Sequence, residues 1–388
     1  MKLISRIVIF LIAIVCAAPS LAEPRVGNVR MNFGTAGRSL TQGKIAKMLR
    51  RSDAAMPLDL RQESYGIYVP QDYKAGMPHG VMVYIDTADL PALESSWTST
   101  LENRHVIWLS PNGAGRNEPL SKRLALAIDA IDNLKEHYAI DTERVYICGR
   151  HCGSVVGAVA MMSVPEVFKG AVITDTRFYR DINTHIDGLK YSAAKDELFS
   201  APPRRSLSTA KRSSRVVIMF PPGKAYRTMN MATFNKGWKT EGFRYLANAK
   251  NVDMTDMVIT GKSFDAAIQY MDAPLTKTAA SHFRKGQSYE KTKKIGLACG
   301  AYALAAMRGG GTKEGGAAVK RFDELYPQFM ETVTKRENEI TALINKGDFV
   351  KAVAEIRKAK TAFGTLGEAA IKRLNVKYDA ARKRAKGK

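Results

Sequence analysis

The chain is 388 residues long, 45% apolar and 25% charged, with a formal charge of +23. This length and apolar share exclude a disordered chain and a small disulfide scaffold, and predict one large domain plus a smaller one. The basic excess implies attraction to anionic surfaces or polymers; nucleic acid is set aside as a partner because the chain start reads as an export signal.

Residues 1–22 have the composition of a signal peptide. Lys2 and Arg6 give a basic start, Ile7 to Val15 an apolar centre, and Ser20-Leu21-Ala22 a small-residue cleavage site. The apolar run is too short for a membrane span. The expectation is a secreted or periplasmic protein cleaved after Ala22, with a lipid anchor at Cys16 as the alternative. Loss of Lys2 and Arg6 leaves +21 on the mature chain. Cys148, Cys152 and Cys299 are then an odd set, and a bridge between the first two would cross a tight turn. The six His are scattered and no Cys/His spacing marks a metal site, so neither metal nor cofactor is expected.

Residues 23–60 read as a mobile basic lead-in, with a short helix at 41–51. Residues 61–275 alternate apolar runs with helical spacing. Strands are predicted at Tyr65 to Val69, Gly80 to Ile85, Val106 to Leu109, Val145 to Cys148, Gly170 to Thr174, Arg215 to Phe220 and, more weakly, Val252 to Ile259. Helices are predicted at Leu120 to Tyr138, Val155 to Met162, Met229 to Asn248 and Ser263 to Met271, with Pro274 closing the last. Residues 176–213 read as a polar excursion over the strand ends. Strands alternating with helices predict an α/β fold: a mostly parallel sheet covered on both faces. Residues 276–388 carry no strand candidate and read as an all-helical extension, with helices at 295–307, 319–334, 337–346, 348–363 and 368–386.

The chemistry centres on Arg144-Val145-Tyr146-Ile147-Cys148-Gly149-Arg150-His151-Cys152-Gly153-Ser154. A buried strand, a Gly-x-x-x-Gly turn and a small, apolar helix form the layout of a nucleophile elbow, which holds its middle residue on a strained turn above the sheet. In a serine hydrolase that residue is Ser. Here it is His151.

The segment from Tyr65-Gly66-Ile67-Tyr68-Val69-Pro70 through Ser110-Pro111-Asn112-Gly113-Ala114-Gly115 to Arg123-Leu124-Ala125-Leu126 resembles the secreted esterase branch of the α/β-hydrolases, which contains polyhydroxybutyrate depolymerases and feruloyl esterases. Tyr138 to Tyr146 is similar to that branch's approach to the elbow, and Pro165 to Val172 to its exit. The resemblance covers roughly residues 60–273 and implies an α/β-hydrolase sheet and carboxylic ester hydrolysis.

The departures fall on the chemistry, which needs an activated nucleophile, an oriented base and oxyanion donors. His151 replaces the nucleophile. The resemblance places the acid after Arg215 to Phe220, where Pro221 to Arg227 offers no carboxylate. It places the base about nine positions before Phe264, which is Asp256. The loop that carries an oxyanion donor is Asp86-Thr87-Ala88-Asp89-Leu90, without glycine. Loss at several positions together implies a retained fold without its reaction, in a binding or scaffolding role.

Two catalytic alternatives stay open. Cys152, beside Arg150 and a helix start, is a candidate thiol nucleophile, with His185 as a distant candidate base. His151 and Asp256 would face each other as a charge-assisted pair, serving as structural glue, ligand clamp or acid–base pair. A small-molecule pocket at the elbow would be lined by Gly149, Arg150, His151, Gly153 and Asp256. Residues 278–388 hold 24 basic and 11 acidic side chains, which makes them either a solubilising cap or a docking module for an anionic polymer, a lipid surface or an acidic protein.

Overall fold

Continuous apolar runs become buried central strands, as expected of a sheet covered on both faces. The computed structural model describes residues 25–34, 60, 62–174, 202–220, 231–232, 234–249, 252–255 and 258–386. Eight strands form one sheet: β1 (Gly27–Asn32), β2 (Ser64–Val69), β3 (His79–Ile85), β4 (Val106–Pro111), β5 (Ile140–Gly149), β6 (Gly170–Ile173), β7 (Arg215–Met219) and β8 (Tyr245–Ala249). Their order is β1-β2-β4-β3-β5-β6-β7-β8. β3 to β8 run parallel, while β2 is antiparallel to β4 and β1 to β2.

Strand parity sorts the core into two layers. Val81, Val83, Ile85, Ile107, Leu109, Val145 and Ile147 pack on one face against α2 (Leu120–Leu134) and α3 (Cys152–Ser163). The helix α4 (Arg204–Ser213) buries Ala210 on that same face, while Met82, Tyr84, Val106, Trp108, Tyr146 and Cys148 pack on the other against α1 (Thr98–Arg104) and α5 (Gly261–Thr276). There Trp97 stacks on Phe264 with centroids 4.2 Å apart, a contact worth about 0.5–1.5 kcal/mol beyond area burial.

Two arginine–aspartate forks hold α5, one to the sheet and one to α1. Arg144, buried on β5, donates to both Asp272 oxygens at 3.0 and 2.7 Å, and the Tyr146 hydroxyl donates to the same carboxylate at 2.5 Å. Burial and that carboxylate raise the Tyr146 phenol well above its ordinary range. Arg104 grips Asp265 at 2.8 and 2.9 Å.

Several expected elements differ. The lead-in contains β1, a half-buried edge strand in which only Val29 and Met31 face the core; two apolar residues give too short an alternation to read from sequence. The polar excursion contains α4. The expected helix over 229–248 is replaced by β8 at its end: Gly242, at φ +74°, turns the chain before Tyr245 pairs with Arg215. The expected strand at 252–259 is a small hairpin, Met254–Thr255 with Val258–Ile259, outside the main sheet. α5 runs through Pro274 to Thr276, because a proline three residues from the end removes only one amide donor near the last turn.

The C-terminal region is helical: α6 (Ala279–Lys291), α7 (Ile295–Arg308), α8 (Lys313–Asn345), α9 (Phe349–Phe363) and α10 (Glu368–Lys386). The two helices expected over 319–346 are one. Phe322, Leu325, Phe329 and Val333 form a buried stripe across Pro327, and that packing carries the helix past the missing donor. Thr312 and Asp348 cap α8 and α9, accepting from Gly315 and Lys351 amides.

This region has its own core, which Met77 joins from the loop before β3. It meets the sheet at the N-terminal ends of the parallel strands. Arg308 at the end of α7 forks onto Asp141 at the start of β5, with two contacts of 2.6 Å and both side chains buried. Removing one partner of such a pair strands a buried charge, at a cost of about 3–5 kcal/mol. Arg308→Met is therefore expected to lower the melting temperature sharply. Combining it with Asp141→Asn should recover part of the loss, read by thermal unfolding of the single and double variants.

Candidate active site

The elbow is built by close backbone approach. Gly149 ends β5 and Gly153 lies in the first turn of α3, with the turn seated against the end of β3. The Arg150 amide donates to the Ile85 carbonyl at 3.0 Å, Gly153 N to Arg150 O at 2.8 Å, and Ser154 N to His151 O at 3.0 Å. A Cβ on Gly153 would stand 1.9 Å from the Ile85 oxygen, and one on Gly149 2.4 Å from the Gly153 carbonyl carbon. Neither position admits a side chain.

His151 sits at the apex with φ 48° and ψ −119°. L-residues avoid this region, and holding one there costs on the order of 1–3 kcal/mol. The strand–strained turn–helix predicted from the sequence is thus present, at the carboxyl end of a central parallel strand. With the strand order and the antiparallel β2, this decides the architecture. The chain has the α/β-hydrolase fold.

The loops around the elbow are tied together by backbone and side-chain hydrogen bonds. In this fold the loop after β3 supplies one oxyanion donor. Here Asp86 ends that strand, and its Oδ1 accepts from Thr87 N at 2.5 Å, Thr87 Oγ1 at 3.0 Å and Ala88 N at 3.2 Å. The loop is also tied to the one after β4: Gly113 N donates to Asp89 O at 2.8 Å, Arg116 N to Thr87 O at 2.9 Å and Gly115 N to Asp89 Oδ1 at 3.1 Å. Arg150 lies 3.9 Å from Asp86. Buried Arg123 on α2 pins both loops from beneath, donating to Ala114 O at 2.9 Å and Asp86 O at 3.1 Å. Burial and Asp86 push the Tyr84 phenol and the Cys148 thiol well up.

The neighbouring candidate nucleophiles are enclosed. Cys152 is fully buried as the first residue of α3. Cys148, Cys152 and Cys299 are all free and buried. Ser154 is buried too, and its hydroxyl accepts from Thr174 N at 2.9 Å, bracing α3 against β6. Gly149, Arg150, His151 and Gly153 lie along the turn between β5 and α3. Asp256, His185 and the turn 221–227 lie outside the described residues. Sequence reasoning missed the Asp86 and Arg123 braces; the signal for the first was a carboxylate at the strand end where glycines stand in the family.

No protein-family model matches the chain. Over 124 residues it is 28% identical to poly(3-hydroxyalkanoate) depolymerase C of Paucimonas lemoignei, a match spanning 27% of this chain and 29% of the depolymerase. The chain therefore covers under a third of that relative's length. Among solved structures, S-formylglutathione hydrolase from Staphylococcus aureus is similar at 11% identity and a TM-score of 0.43, over 64% of this chain and 98% of that one. Esterase 2 of Thermogutta terrifontis phosphonylated by cyclosarin is similar at 14% identity and a TM-score of 0.40, over 57% and 90%. A thermostable esterase is similar at 14% identity and a TM-score of 0.36, over 53% and 56%. The strand order and the elbow carry the fold assignment by themselves.

The strained apex gives a direct check. Ala and Gly both remove the imidazole, but only Gly tolerates the backbone. His151→Gly is expected to be more stable than His151→Ala by about 1 kcal/mol, the reverse of the usual order, measured by urea unfolding of the two variants.

Proposed function

We propose that this is an exported α/β-hydrolase-fold protein of esterase-like ancestry that binds rather than hydrolyses. The observation that carries the reading is His151 at the elbow apex, where the mechanism needs a serine hydroxyl. Two features support it: the amides after β3 are already engaged by Asp86, and Ser154 and Cys152 are buried beside the apex. An imidazole on a rigid turn, with Arg150 next to it, is suited to gripping a polar or anionic small ligand. The export reading rests on the composition of residues 1–22. None of the described helices is long and apolar enough to cross a membrane.

The C-terminal helices supply a second, charge-based contact. Arg382, Lys383 and Arg384 on α10 and Lys351, Arg357, Lys358 and Lys360 on α9 are exposed. Such a surface favours an anionic polymer, lipid surface or acidic protein over a range of about 8 Å at physiological salt.

Two measurements test this. The mature protein is expected to leave p-nitrophenyl acetate at the buffer rate and to take no fluorophosphonate label; robust turnover with one labelled serine would refute the binding-only reading. Retention on an anionic column should fall steeply with salt, and reversing Arg382, Lys383 and Arg384 to Glu should weaken it. Retention surviving molar salt would mean that an apolar interface, not charge, makes the contact.

A further inference from the structure

The sequence scatters its six histidines, but the fold brings two of them beside a carboxylate at the end of the sheet opposite the elbow. His79 opens β3, His105 sits between α1 and β4, and Asp72 lies in the turn after β2. One ligand atom from each lies within 4.8 Å of the other two. The Asp72 Oδ2 and the His105 Nδ1 are 3.2 Å apart, and the two imidazoles meet edge to face with centroids at 5.6 Å.

His79 is the telling residue. It is 1% exposed, and its Nδ1 is 3.0 Å from the Met77 carbonyl. A carbonyl can only accept, so Nδ1 carries the proton and Nε2 presents a lone pair. That Nε2 is buried and has no hydrogen-bond partner. A histidine whose one nitrogen is fixed on a backbone carbonyl, leaving the other as a free donor of electrons, is oriented as metal-bound imidazoles are, by the hydrogen bond of the nitrogen that does not bind. His105 is held in place independently. It caps α1 in the left-handed region at φ 49°, with its amide on the Leu101 and Glu102 carbonyls.

The surroundings allow a cation. The nearest buried guanidinium, Arg144, is already matched by the Asp272 carboxylate, and the Asp72 side chain is 55% exposed, which gives an entry path. Two imidazole nitrogens and one carboxylate oxygen suit Zn²⁺ or a neighbouring transition ion rather than Mg²⁺ or Ca²⁺, which take oxygen shells. Bonds of about 2.0–2.2 Å in a tetrahedral shell set ligand atoms roughly 3.3 Å apart. The Asp72–His105 edge already fits this, and the other two edges lie within 4.8 Å.

We infer that Asp72, His79 and His105 form a binding site for a divalent transition ion of the Zn²⁺ type, with water completing the shell. The loop it would clip, from Asp72 to His79, is the one that meets the helical region: Lys74 pairs with Asp323 at 3.0 Å, and Met77 enters the helical core. The ion would therefore fasten the helical region to the sheet, whatever the elbow does.

The test uses the full mature chain without an affinity tag, stripped with a chelator and titrated with Zn²⁺ by calorimetry and with Co²⁺ by visible absorption. The expected result is one ion per chain, a rise in melting temperature on adding Zn²⁺, and a Co²⁺ spectrum of low coordination number. Asp72→Asn and His105→Asn should each weaken binding about tenfold or more while folding normally in chelator, since Asn accepts the left-handed position of His105. His137→Gln, on an exposed histidine outside the group, should leave binding unchanged. Absence of binding at submillimolar Zn²⁺, or binding that survives both ligand variants, would overturn the inference.

Discussion

The backbone contact between the elbow and the end of β3 is the constraint on which the functional end of the molecule depends. The Arg150 amide bonds the Ile85 carbonyl, and Gly153 approaches that oxygen so closely that a methyl group would stand 1.9 Å from it. This fixes where α3 leaves the sheet and forces His151 to a backbone conformation that L-residues avoid. The strain is that of a catalytic turn. The side chain on it is an imidazole, and beside it Asp86 accepts from the Thr87 and Ala88 amides that follow β3.

The opposite end of the sheet carries the structural coupling. Arg144 binds α5 through Asp272, and Arg308 binds the helical region to β5 through Asp141, both by forked, buried contacts. Asp72, His79 and His105 gather beside these pairs. The carboxyl ends of the strands thus present the elbow, while the amino ends join the two cores. The exposed cations of α9 and α10 lie on the helical region, away from the elbow.

The sheet was legible where burial is continuous. Val81 to Ile85, Val106 to Leu109 and Val145 to Cys148 are apolar at every position, because both faces of a central parallel strand are covered. The elbow was legible because two glycines and a change of period have a narrow structural meaning. Edge elements were not: β1 buries two side chains, and β8 is half-buried with polar neighbours, so neither carries a strong pattern. α8 hid its continuity because Pro327 signals a break that only tertiary packing overrides. The Asp72–His79–His105 group was invisible for a different reason, since its members are joined by strand pairing and not by any spacing along the chain.

The central claim is that this chain keeps a strained hydrolase elbow with histidine at its apex. A crystal structure of the mature protein tests it most directly, read at the backbone torsions of residue 151. The account predicts φ near +50° with the Arg150 amide on the Ile85 carbonyl. A His151 with helical torsions, its turn absorbed into α3, would contradict it.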